Sequence, residues 1–315
     1  MSNKLLRINL AGLELRTPVL IASGVVGYGI EYEKLNDFNY NMIGGIVLKG
    51  VNLKGKVGNP EPRIVDSTVG VINAIGLENP GVDKLINEVL PKIPKKTSLI
   101  ANILGDTVQE YADVAAKLNS VSEIHAIEVN ISCPNVKRGG QLFGSNPDIT
   151  REVIHAVKSS YLRGPVIAKL SPSVTDITEI AKASVDGGAD IISLINTMPA
   201  LAININVARP IAVLGNNFGG LSGPAIKPIG LCKVCQVYQF FQKAGIKIPI
   251  IGIGGIMTPD DAIEYMAAGA SAVQIGTIMF SDDRAYEKIT KGIEKYLIQH
   301  HYDSVQKIIG SLKLN

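Results

Sequence analysis

The sequence predicts a (β/α)8 TIM barrel, and three observations carry that prediction. Eight short apolar runs recur along the 315 residues, with helix-like segments between most of them. The runs are nearly continuously apolar rather than alternating, which is the pattern of strands buried on both faces of a parallel sheet. Amides, lysines and glycines follow these runs, at the end where βα loops hold ligands in a barrel. A doubly wound open sheet is the alternative, because strand count alone does not show closure.

The elements follow in order. Residues 5–16 form two alternating runs around Ala11-Gly12, read as a β-hairpin that precedes the barrel and closes its bottom. The eight strand candidates are Val19–Ser23, Gly45–Lys49, Leu99–Ile103, Ala126–Asn130, Val166–Leu170, Ile191–Ile195, Ile248–Ile253 and Ala272–Ile275. Helices are expected over Asp83–Leu90, Thr107–Leu118 with Asp106 as N-cap, Asp148–Ser159, Asp176–Asp186, Ile226–Lys243 and Pro259–Ala268. Glycines at 187–188 and 269 fit helix C-termini. Tyr286–Gln299 and Ser304–Leu312 read as amphipathic C-terminal helices. No linker, low-complexity tract or repeat divides the chain, so residues 1–315 are expected to form one domain.

Composition narrows the functional classes. Hydrophobic residues make up 46%, charged residues 19%, and the net charge is +3, which does not indicate a basic nucleic-acid face. No run reaches the roughly 18 apolar residues of a membrane span, and no secretory signal is expected at the N-terminus. Three cysteines do not make a disulfide scaffold. The expectation is a soluble, cytoplasmic enzyme or binding protein.

The residues after each run locate the chemistry. Ser23-Gly24 follows the first, Lys49-Gly50 the second, and the third and fourth carry Asn102 and Asn130. The fifth carries Lys169; the sixth leads into Asn196-Thr197, the seventh into Gly254-Gly255 and the eighth into Gly276-Thr277. Glycine lets backbone N–H groups approach an anion, so the last two pairs, with a glycine-rich loop at Gly219–Pro224, favour a phosphate site over plain tight turns. Lys49 and Lys169 sit at apolar strand ends. Either they bridge to acids across the barrel or they meet an electron-rich ligand, and the absence of an adjacent acid in sequence favours the ligand. Asn73, Asn102, Asn130, Asn135 and Asn196 offer both donors and acceptors, which suits a planar ligand with alternating C=O and N–H groups, though each one also suits a turn.

Cys133, in Asn130-Ile131-Ser132-Cys133-Pro134-Asn135, stands in the loop after the fourth strand and is a candidate base. No His is near it in sequence. Cys232 and Cys235 fall one turn apart inside a helix, where core packing explains them, and no metal site is expected.

Five stretches together resemble the dihydroorotate dehydrogenase family, in order, over roughly residues 5–295. They are Glu128 to Gly140, Asn73 to Gly81, Ala168 to Pro172, Ile195 to Thr197 and Gly219 to Pro228. The resemblance implies an FMN-binding (β/α)8 barrel that oxidises dihydroorotate to orotate in pyrimidine biosynthesis. Cys133 would take the proton from carbon 5 while hydride leaves carbon 6 for the flavin; membrane-bound relatives use Ser, so Cys points to the soluble class. It also implies that Lys49, Asn73, Ile75, Gly76, Leu77, Asn130, Asn135, Asn196 and Thr197 hold substrate. Ser23, Lys49, Gly50, Asn102, Asn130, Lys169, Ile195, Gly223, Gly254, Gly255, Gly276 and Thr277 would hold FMN.

Val136-Lys137-Arg138-Gly139-Gly140 resembles the NAD-linked branch, whose members pair with a subunit carrying FAD and an iron–sulfur cluster, and the family resemblance implies a homodimer or a heterotetramer. This chain has no visible motif for that cluster or for NAD. Met198 to Val207 departs from the usual, more basic pattern after Asn196-Thr197. Reaction with fumarate or another acceptor without a partner, and a non-redox phosphate-binding lyase or isomerase, are the competing readings.

Overall fold

The structure is a computed structural model, and it describes residues 4–30, 38–132, 137–138 and 141–315. Cys133, Asn135 and Gly139-Gly140 lie outside the described residues. Eight parallel strands close into a barrel: β1 (Val19–Ile21), β2 (Gly45–Val47), β3 (Ser98–Ile103), β4 (Ile124–Asn130), β5 (Val166–Leu170), β6 (Ile191–Leu194), β7 (Ile250–Ile253) and β8 (Ala272–Ile275). Each strand pairs with the next in sequence, and β8 pairs back onto β1, Val273 against Val19. Closure decides against the open sheet. All eight expected strands are present, four with ends trimmed by one or two residues and two extended by one or two.

The six helices carry one buried apolar face each, and four of them have a side-chain N-cap. They are α1 (Val108–Leu118), α2 (Pro147–Ser160), α3 (Ile177–Asp186), α4 (Lys227–Ala244), α5 (Pro259–Ala267) and α6 (Ala285–Gln299). Thr107, not Asp106, caps α1: its hydroxyl accepts from Glu110 N at 3.1 Å. Asn146 and Asp176 cap α2 and α3 in the same way. Asp83–Leu90 is helical but irregular, an α turn at Val82–Lys84 passing into a π stretch and then a 3-10 turn at Leu90–Lys92, where Pro91 has no N–H to continue a ladder. The expected helix over Ser304–Leu312 is only a 3-10 turn at Val305–Lys307. Gly310 turns the chain there with φ +67°, and its N–H bonds to Met266 O of α5 rather than within a helix of its own.

The hairpin is present, Ile8–Leu10 against Leu13–Leu15, with Leu10 and Leu15 buried in the main core. At the other end, the largest of the sheets outside the barrel was not expected from the sequence. Ile64–Ser67, Gly70–Asn73, Phe218–Ser222 and Met198–Leu201 form a four-stranded antiparallel sheet from the loops after β2 and β6. Gly219-Gly220 is therefore a strand interior and not a loop. The glycines permit close pairing: a Cβ on Gly219 would stand 2.6 Å from Asn73 O. This sheet has a small core of its own around Ile72, Ala74 and Leu214.

Candidate active site

Residues at the ends of β1 and of β5 to β8 surround a cavity of about 330 Å³ at the C-terminal face of the barrel. Twelve of the expected site residues line it. Ser23 comes from the end of β1, its hydroxyl donating to Leu48 O at 2.8 Å. Lys169 comes from β5, and Ile195, Asn196 and Thr197 follow β6. Gly254 and Gly255 follow β7, Gly276 and Thr277 follow β8, and Gly223 stands beside them. Asn73 and Ile75 enter from the four-stranded sheet.

The glycines at the ends of the late strands are dictated by geometry. Gly254 and Gly255 have φ of +125° and +67°, and a Cβ on Gly255 would lie 2.8 Å from Gly223 O. Tyr265 fixes this bend, its buried hydroxyl donating to Gly254 O at 2.7 Å, and burial pushes the phenol pKa above its ordinary value. Thr277 Oγ1 lies 2.9 Å from Ser222 Oγ, tying the end of β8 to the capping sheet.

The asparagines are held by defined bonds. Asn196 Oδ1 accepts from Thr197 N at 2.8 Å, and its Nδ2 donates to Asn130 Oδ1 at 3.3 Å. Asn130 Oδ1 also accepts from Ser132 N at 3.1 Å. Asn73 Nδ2 donates to Gly220 O at 3.3 Å. Four described residues expected to hold substrate or cofactor, Lys49, Gly50, Gly76 and Leu77, are not among the lining residues. Asn102 and Asn130 do not line it either; Asn130 reaches it through Asn196, and Asn102 is buried beneath it.

Both lysines have acidic partners that sequence adjacency did not reveal. Lys49 Nζ is 3.4 Å from Glu78, and Lys169 Nζ is 3.4 Å from Glu128 Oε1. The cross-barrel bridge is thus real for Lys169, and the same side chain also lines the cavity. Glu128 is fully buried and accepts from Asn102 Nδ2 at 2.8 Å, Ser193 Oγ at 3.0 Å and Gln274 Nε2 at 2.7 Å. One carboxylate so joins β3, β4, β5, β6 and β8. Glu128, Ser193, Gln274 and Ser222 were missed in the sequence. A charged or amide residue inside an otherwise apolar buried run was the available signal for Glu128 and Gln274.

Outside the cavity, Cys232 is exposed and Cys235 half-buried against the core, so only Cys235 packs as expected. Among the described residues no group of His, Cys, Asp and Glu is placed to hold a metal ion. No helix among them is long and apolar enough to cross a membrane.

A closed barrel whose cavity opens at the strand C-termini, with a lysine in its wall and glycine bends after the last two strands, defines the class: a (β/α)8 barrel enzyme with its active site at the usual face. The dihydroorotate dehydrogenase family profile matches residues 5–297. The chain belongs to that family, which is one of oxidoreductases. It is 48% identical over 308 residues to the protein of Citrifermentans bemidjiense named dihydroorotate dehydrogenase B (NAD(+)), catalytic subunit, covering 98% of each chain. The proteins of the same name in Geobacter sulfurreducens and Desulforudis audaxviator are 47% and 46% identical, over 98% and 96% of this chain and the same shares of theirs.

Proposed function

We propose that this chain oxidises dihydroorotate to orotate in pyrimidine synthesis. FMN is its bound electron acceptor, and a partner subunit with FAD and an iron–sulfur cluster relays electrons to NAD. The observation that carries the reading is the cavity itself, with Lys169 in its wall and the amides of Asn73 and Asn196 at its lining. Family membership and the relatives' shared name support the substrate and the existence of a second subunit. The cytoplasm is the matching location.

The residues present fit FMN. Gly223, Gly254 and Gly255 have positive φ, and at Gly223 and Gly255 a Cβ would crowd neighbouring backbone, an arrangement that favours peptide N–H groups open to a phosphate, with Gly276 and Thr277 beside them. Ile195, Ile226 and Ile253 give the cavity apolar wall for an aromatic ring system. Gln274 Oε1 is buried without a hydrogen-bond partner among the described residues, an acceptor left over in the site. Ser23 and Lys169 complete this set, with Lys49, Gly50, Asn102 and Asn130 behind it. When bound, FMN supplies a two-electron acceptor.

The chain's own residues would do the rest. Asn73, Asn130, Asn196 and Thr197, with Asn135, Lys49, Ile75, Gly76 and Leu77, hold and orient the substrate through paired donors and acceptors. Cys133 takes the carbon 5 proton on its sulfur as the carbon 6 hydride departs, so the two lost hydrogens leave a carbon–carbon double bond in orotate. The described lining supports a base from that loop: it contains no carboxylate, imidazole or thiol, and Lys169 is its only titratable side chain.

The test is spectroscopic. Purified protein should be yellow, or become so on adding FMN, and anaerobic dihydroorotate should bleach it within the mixing time of a hand-held cuvette experiment. Protein that takes up no FMN, or whose flavin stays oxidised under dihydroorotate, would overturn the reading.

A further inference from the structure

Barrel interiors are ordinarily filled with branched apolar side chains, so a charged pair there calls for a reason. Glu128 and Lys169 are both buried, inside the strands that floor the cavity. As packing they are a poor choice: a buried ion pair seldom stabilises more than apolar residues of like volume. Their geometry is also unequal. Glu128 holds three short bonds at 2.7, 2.8 and 3.0 Å from Gln274, Asn102 and Ser193, whereas Lys169 Nζ approaches it only to 3.4 Å. The carboxylate is clamped by neutral donors on three strands, and the ammonium is only loosely paired. Two of the three ammonium N–H groups have no partner on Glu128, and Lys169 lines the cavity.

We propose that Glu128 is a positioning residue that serves as fixed counter-charge to Lys169 and so sets the reduction potential of the bound flavin. The inference rests on the reading of the site as an FMN site. A reduced isoalloxazine carries more negative charge than the oxidised ring, so a cation at the cavity wall favours reduction and an anion behind it opposes reduction. In the low-dielectric barrel interior neither charge is screened by water. The pair holds the net charge behind the cavity near zero, and removing one member leaves one charge unbalanced.

The experiment measures the flavin midpoint potential, by dye-coupled reductive titration, in wild type, Glu128→Gln, Lys169→Met and the double variant. Glu128→Gln leaves a net positive floor and should shift the reduction equilibrium at least tenfold toward reduced flavin, about 30 mV for a two-electron couple. Lys169→Met should shift it by a similar factor the other way. The double variant has no unbalanced charge and should return to within about threefold of wild type. A role confined to holding the strands together would lower thermal stability and leave the potential in place. A potential in Glu128→Gln equal to or below wild type overturns the proposal. If Glu128→Gln does not retain flavin, the double variant decides: a potential at least tenfold above Lys169→Met in the equilibrium supports it, and equality with Lys169→Met overturns it. Wild-type protein that binds no FMN overturns the functional reading itself, whereas flavin bound at an unmoved potential overturns only the role of Glu128.

Discussion

Asn196 Nδ2 donates to Asn130 Oδ1 at 3.3 Å, tying the loop after β6 to the end of β4 across one side of the cavity. The same Asn130 oxygen accepts from Ser132 N, the residue before the Cys133 loop. One amide pair therefore connects the proposed substrate contacts with the start of the segment that carries the proposed base.

Asn196→Ala should raise KM for dihydroorotate and lower kcat/KM by roughly 10- to 100-fold, the effect of one or two lost hydrogen bonds at about 1–3 kcal/mol. Flavin content should stay at the wild-type level. Steady-state kinetics beside an absorbance count of bound flavin checks both, and normal kcat/KM would remove Asn196 from the substrate site.

Cys133→Ala should retain FMN but reduce it about 10² to 10⁴ times more slowly with dihydroorotate, the usual contribution of a general base. Cys133→Ser should be impaired mainly at neutral pH, because a hydroxyl is a poorer base than a thiol. Anaerobic rapid-mixing traces across pH read both, and flavin reduction at the wild-type rate in Cys133→Ala would rule the thiol out.

Gly220 sets the position of Thr197. A Cβ on Gly220 would fall 2.0 Å from Thr197 Oγ1 and 2.6 Å from its Cβ. Gly220→Ala should therefore push Thr197 out of place and reduce kcat/KM by up to about 10²-fold, the scale of a 1 Å misplacement in an active site. Circular dichroism should show the barrel intact. An alanine variant with unchanged kinetics would show that the sheet yields instead.

The bend after β7 rests on Asp261. Its carboxylate accepts from Met257 N and Thr258 N at 2.8 Å each and pairs with Lys227 at the start of α4. Burial works to raise the Asp261 pKa, but the bonds from Lys227, Met257 and Thr258 outweigh it and hold the carboxyl below its ordinary value. Lys227 is raised in turn: burial works against its charge, and Asp261 and Glu264 outweigh burial. A depressed carboxylate contributes stability above its unfolded pKa, near 4, and loses it as pH falls through the lower folded value. The raised Lys227 contributes below its unfolded pKa and loses that as pH rises through the higher folded one. Asp261→Asn should cost about 1–2 kcal/mol near neutrality, a drop of a few degrees in Tm, and the gap to wild type should close below about pH 4. Melting curves at several pH values test this; a gap that is constant into acid would show that the charge is not involved.

Much of the barrel was legible because its strands are buried on both faces. Val166–Leu170 and Ala272–Ile275 read as buried strands from local sequence alone, and their closure only confirmed the pattern. Caps were legible to within a residue, since Thr107 and Asp106 are both chemically able and only backbone conformation chose Thr107. The capping sheet was not legible. Ile64–Ser67 and Gly70–Asn73 pair with Phe218–Ser222 from a distant part of the chain, and their half-buried faces show no long apolar run. Ser304–Leu312 failed as a helix because periodicity does not register that Gly310 turns at positive φ onto Met266.

By itself the sequence determined the barrel's order of elements, the glycines after β7 and β8, the two lysines, the family motifs and Cys133 as the proposed base. Those are local facts: residue type, spacing and periodicity act through the backbone within a few positions. The tertiary structure alone decided that the sheet closes, that Asn130 meets Asn196, that Gly220 makes room for Thr197, and that Lys169 shares the barrel interior with Glu128. Each of these joins residues far apart in sequence, at least 23 positions in every case, and barrel closure brings such residues within bonding distance while leaving no local trace in the chain.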